Sequence, residues 1–178
     1  MLLSFRGVAQ SDFSFLTREQ LVTLNREYAR VLQQERSRRI GRQVEVIFDE
    51  NLLYATYIFN HELYEAKDIY HYGDRHSEPI CEECAMVAEL CGYSTRDDYK
   101  DIAELAKAIF MNFQESARHG ELQMNEFYTY VSVSYVSNTY VVRMAALPHN
   151  IVDQESPIIN SFNKLIINTP QRGKYDKR

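Results

Sequence analysis

The stretch Val44-Glu-Val-Ile-Phe-Asp-Glu-Asn-Leu-Leu-Tyr-Ala-Thr-Tyr-Ile-Phe-Asn-His-Glu-Leu-Tyr-Glu-Ala-Lys-Asp-Ile-Tyr-His-Tyr72 decides how the chain is read. It is dense in β-branched and aromatic residues, and two short polar breaks divide it, Asp49-Glu50-Asn51 and Asn60-His61. Residue type predicts three strands, at 44–49, 52–59 and 62–72. Connections this short force neighbouring strands to run antiparallel. A second pair is expected at 125–136 and 139–147, turning at Ser137-Asn138. On its first strand Phe127, Thr129, Val131, Val133 and Tyr135 form the core-facing set. Tyr128, Tyr130, Ser132 and Ser134 alternate with them and face a wetter side.

Helices are expected around this sheet. Thr17 and Gln20 have capping-box spacing, and Leu21, Leu24, Tyr28, Val31 and Leu32 follow at helical intervals, so a helix should run from Arg18 to about Arg38 and stop near Gly41. A short helix is expected at 82–90, ended by Gly92. A third should begin after Ser94 or Thr95, bury Tyr99, Ile102, Ala106, Ile109, Phe110 and Phe113, and end at His119-Gly120. Ser156-Pro157 marks one more helix entry. The sum is one α+β domain over 1–170, with an antiparallel sheet of about five strands (a three-strand meander plus a hairpin) under packed helices. The order is α-βββ-α-α-ββ-α, followed by a loose basic tail at 171–178.

A chain of 178 residues with 45% hydrophobic and 25% charged residues has the ordinary globular balance, which excludes wholesale disorder. No run of 18 apolar residues is present, so no membrane-spanning helix is expected. Met1-Leu2-Leu3-Ser4-Phe5-Arg6 lacks the pattern of a secretory leader. Three closely placed cysteines argue for a reducing interior and a cytoplasmic protein. The net charge of −5 is segregated. Residues 1–48 carry eight Lys/Arg against five Asp/Glu, residues 49–126 six against seventeen, and residues 127–178 six against three. An acidic centre with basic ends disfavours a nucleic-acid surface as a whole, leaves a local one open, and suits self-association.

Three constellations could carry chemistry. On the expected meander, Asp49 ends one strand, and Glu65 and Lys67 share a face of another. Two carboxylates hold a hard cation such as magnesium and a lysine orients the attacking water, which is metal-dependent nuclease chemistry. In this respect the chain resembles the PD-(D/E)xK nuclease family, with Phe48 where that motif has proline. The resemblance implies magnesium-dependent cleavage of nucleic acid by Asp49, Glu65 and Lys67, with Glu19, Glu27 or Glu35 completing the metal shell. The second constellation is His71, His76, Cys81 and Cys84, donors of the kind zinc prefers. Were 80–91 helical, Cys81, Cys84, Ala88 and Cys91 would form a small buried stripe instead. A redox disulfide between Cys81 and Cys84 is disfavoured by the charges of Glu82 and Glu83. The third is the arginine-rich end of the first helix, Arg26, Arg30, Arg36, Arg38, Arg39 and Arg42, suited to phosphate or an acidic protein face.

None of these motifs reaches a complete catalytic form, and no cofactor is required. Nine of thirteen tyrosines fall in 44–72 and 121–147. Tyrosine and arginine dominate interface hot spots. The expectation is therefore a non-catalytic protein-binding domain, an adaptor, inhibitor or assembly component that self-associates. Tyr128, Tyr130 and Tyr140 would form one binding face, and Arg36, Arg38, Arg39 and Arg42 a second.

Overall fold

The structure, a computed structural model, describes residues 14–82 and 84–146. The expected helix after Ser156-Pro157 and the tail at 171–178 lie outside these residues. In chain order the elements are α1 (Arg18–Ile40), β1 (Ile47–Phe48), α2 (Glu50–Ala66), α3 (Tyr72–Arg75), β2 (Met86–Tyr93), α4 (Ile102–Gln114), α5 (Ala117–Gln123), β3 (Tyr130–Val136) and β4 (Thr139–Ala146). The class is α+β, and the described residues form four strands in the order β1-β3-β4-β2. β1 is parallel to β3, and the other pairings are antiparallel. The sheet is therefore mixed and is not a five-strand antiparallel one.

The expected meander is corrected to a two-residue strand followed by a helix of 17 residues. The buried positions Leu52, Leu53, Thr56, Tyr57, Asn60 and Leu63 recur at helical spacing. Asp49 is the N-cap, accepting a 2.7 Å hydrogen bond from the Leu52 N–H, so the break read as a turn is a helix start. The expected helix at 82–90 is instead strand β2. Its helix-forming residues are overridden by an antiparallel ladder with β4 that pairs every residue from Met86 to Tyr93. Gly92 is required there: a Cβ at this position would come within 2.7 Å of the Tyr140 ring. Gly92→Ala should cost about 1–3 kcal/mol by overpacking, read as a lower urea midpoint with an unchanged slope.

The first helix and the hairpin turn form where the sequence placed them, and the strand expected from 125 begins at Tyr130. Thr17 and Gln20 make the capping box of α1, and Gly41 closes the helix at φ 76°. The hairpin turns on Ser137 and Asn138, both at positive φ, the conformation that matches the twist of a two-residue connection. The third expected helix begins later than its Ser94 or Thr95 start, with Asp101 as its cap, and breaks near Glu115-Ser116 into α4 and α5.

Both faces of the sheet are covered. Leu21, Leu24, Tyr28 and Leu32 of α1 share one core with Ile109, Phe110 and Phe113 of α4 and with Val131, Val133 and Tyr135 of β3. On the opposite face α2 meets the sheet through buried polar pairs, Thr56 Oγ1 to Ser132 Oγ at 2.6 Å and Asn60 Nδ2 to Ser134 Oγ at 3.2 Å. Ser132 and Ser134 face a second helical layer, so the side expected to be wet is dry. Phe127, expected in the core, lies before β3 and is 70% exposed.

Candidate metal site

Glu89 and Cys91 lie two residues apart on β2, so both point to the face that carries α2. Glu89 stands directly across the ladder from Arg143. The pair is sealed, at 1% and 6% side-chain exposure for Arg143 and Glu89. Arg143 Nε donates to Glu89 Oε2 at 2.8 Å, and its guanidinium lies over the rings of Phe59 and Tyr72 at 4.9 and 5.0 Å. This leaves Glu89 Oε1 facing the segment 68–76, where it accepts the Tyr72 N–H at 2.8 Å.

That segment brings in the third donor. Lys67 ends α2 in the left-handed conformation, at φ 52°, and turns the chain back over the sheet. His71 caps α3, its N–H held by Asp74 Oδ2 at 2.9 Å. Its Nδ1 lies 3.3 Å from Glu89 Oε1 and 3.9 Å from Cys91 Sγ. The three ligand atoms all fall within 4.8 Å of one another. Tetrahedral zinc with nitrogen, oxygen and sulfur ligands needs neighbouring donors about 3.3–3.8 Å apart. The donor types are those a zinc-like ion takes and the His71–Glu89 separation matches its geometry, while Cys91 Sγ, at 3.9 Å from Nδ1, would close in slightly around the ion, with a coordination position left over. Thiol and imidazole donors do not suit magnesium.

Nucleophilic catalysis does not fit the same atoms. Cys91 and Glu89 face the same nitrogen of His71, so the imidazole cannot be held by one while it takes a proton from the other. Burial, with Glu89 beside it, pushes the Cys91 thiol well above its usual range, so a thiolate forms there only where a bound cation displaces the proton. Burial holds the His119 imidazole below its ordinary value, and His71 and Arg118 lower it further.

The expected site residues are placed as follows. Of His71, His76, Cys81 and Cys84, only His71 joins the site. His76 Nε2 sits 2.9 and 3.0 Å from the two carboxylate oxygens of Glu62. Cys81 and Cys84 are joined in a disulfide, so their sulfurs are not free as zinc ligands. The repulsion from Glu82 and Glu83 governs the reactivity of free thiols and does not prevent two cysteines with Cα atoms 5.4 Å apart from bonding. Asp49 caps the start of α2, and Glu65 and Lys67 lie at its other end, about 25 Å away along a 17-residue helix. They do not converge. Tyr128 and Tyr140 are buried, Tyr130 partly so. Arg36 is fully buried, donating to the Gln123 and Tyr128 carbonyls at 2.9 and 2.5 Å. Burial lowers its pKa to about 10, which still leaves it charged at neutral pH. Arg38, Arg39 and Arg42 are exposed, with Arg38 paired to Glu35 and Arg42 to Glu126. Read from sequence, 82–90 is a helix, which leaves out Glu89 and assigns Cys91 to a buried helical stripe. Strand alternation over the same residues aligns them.

No family model and no curated protein matches the chain. Among solved structures it is similar to an outer surface protein of Borrelia burgdorferi, at 13% identity and TM-score 0.53, covering 78% of this chain and 100% of that one. It is also similar to an extracellular protein containing a SCP domain from Bacillus anthracis, at 13% identity and TM-score 0.55, over 74% of this chain and 44% of that one. A cysteine-rich secretory protein from Staphylococcus aureus matches at 14% identity and TM-score 0.41, over 72% and 38% of the two chains. The likeness is one of fold, and this chain spans under half of the Bacillus protein.

The cytoplasmic expectation is corrected. Disulfides persist in oxidising compartments, and the Cys81–Cys84 bond points away from a reducing one. Among the described residues no helix is long and apolar enough to cross a membrane.

Proposed function

We propose that this chain is a non-catalytic, metal-binding domain that works outside the cytoplasm and presents its metal centre to a protein partner. His71 Nδ1, Glu89 Oε1 and Cys91 Sγ hold the ion, zinc first. The carrying observation is the mutual spacing of these three unlike donors, two of them on one rigid strand. A protein partner has two separate exposed aromatic side chains to contact, Tyr93 at the hairpin end of the sheet and Phe127 before β3 at the other, 64% and 70% accessible. The charge segregation suits a partner with its own polar pattern. Three protein ligands leave the fourth position to water or to a donor from that partner.

Elemental analysis after equilibration with zinc should find one ion per chain. Cys91→Ser should abolish stoichiometric uptake, and His71→Ala should weaken it to the residual affinity of Glu89 and Cys91, while the far-ultraviolet dichroism stays unchanged. Native protein that leaves dialysis against zinc without metal would end this reading.

A further inference from the structure

Two of the three donors sit on β2, which is paired residue by residue with β4. The third does not. His71 is 53% exposed in its side chain and belongs to an irregular strap, so metal affinity depends on how firmly that strap is held. One carboxylate holds it on both sides of His71. Glu62, on α2, accepts from the Tyr70 hydroxyl at 2.5 Å and lies 2.9–3.0 Å from His76 Nε2. The two held rings then lock the strap to the fold. His76 stacks on Tyr72 at 4.2 Å and 12°, and Phe59 presents its ring to Tyr70 and Tyr72 at 5.7 and 5.4 Å. Arg75, paired with Asp68 across the strap, covers the Tyr70 ring at 3.5 Å.

A single exposed ion pair contributes little, but an anchor that fixes a loop on either side of a ligand acts on the ligand's position. We infer that Glu62 is the positioning residue of the metal site: by holding Tyr70 and His76 it fixes the strap that presents His71. This rests on the metal reading above.

The test is Glu62→Gln in the full chain, which keeps the shape and removes the charge. Zinc and cobalt should bind about 10–100-fold more weakly, the range for outer partners of metal ligands. The same substitution in a His71→Ala background should change affinity by less than about twofold, because neighbours acting through one group are not additive. The cobalt–thiolate absorption of Cys91 should persist. In metal-free protein, amides 70–76 should exchange faster, while those of β3 and β4 stay as in the wild type. An equal loss of affinity with and without His71, or unchanged exchange at 70–76, overturns the inference. Wild-type protein that binds neither metal removes the metal reading and, with it, the positioning role. The exchange measurement then reports separately on whether Glu62 anchors the strap.

Discussion

Replacing Arg143 with methionine is expected to destabilise the fold by about 3–5 kcal/mol, the usual cost of stripping one partner from a buried ion pair. Glu89 would be left almost fully enclosed without the cation that faces it across the ladder. Its contacts with the Tyr72 N–H and His71 would remain. Methionine fills much of the space between Phe59 and Tyr72, so a large loss would come from the stranded charge and not from a cavity. Adding Glu89→Gln to the Arg143→Met variant should recover most of the loss, since it removes the charge but keeps an acceptor for Tyr72. Urea unfolding of the two single variants and the double variant measures the coupling. If the effects simply add, the pair does not act as a unit.

Asn25→Ala should cost about 2–5 kcal/mol, although the residue is small and lies on a helix face that packs against the sheet. Its side chain stands in for a missing strand. β1 covers the outer edge of β3 only as far as Phe48, where the Ile47 and Asp49 N–H groups reach the Thr129 and Val131 carbonyls. Beyond that point Asn25 Oδ1 accepts the Val133 N–H at 2.7 Å. Its Nδ2 donates to the Val133 and Leu21 carbonyls, both at 2.8 Å. Farther on, Ser137 N–H reaches the Ser14 carbonyl. Alanine would leave both backbone groups of Val133 buried without a partner, each costing about 1–3 kcal/mol. The measured quantity is the unfolding free energy, with faster amide exchange at Val133 as the local signature. A loss below about 1 kcal/mol would mean that water takes over both bonds.

Legibility in the sequence followed the reach of each signal. The cap at Thr17, the glycine stop at Gly41 and the Ser137-Asn138 turn act over a few residues, and all three lie where local chemistry placed them. The β-branched and aromatic richness of 52–66 misled because α2 needs large side chains for the sheet below it, and that need looks like strand propensity. β2 misled in the opposite direction: Ala88, Glu89 and Leu90 prefer helix in isolation, and the ladder with β4 outweighs that preference. The error carried over to the site. A strand aligns Glu89 with Cys91, whereas the helical reading grouped Cys91 with Cys81 and Cys84.

What the amino-acid sequence determined by itself was the mixed class, the first helix with its caps, the closing hairpin and the presence of histidine and cysteine donors in 71–91. These depend on contacts between near neighbours, which composition and spacing encode directly. Only the tertiary structure decided that helices cover both faces of the sheet, burying Tyr128, Tyr140 and Arg36, and that His71 meets Glu89 and Cys91 across 20 residues. Those outcomes turn on which surfaces bury each other, a choice settled by the free energy of the whole packed chain and not by any segment's own preference.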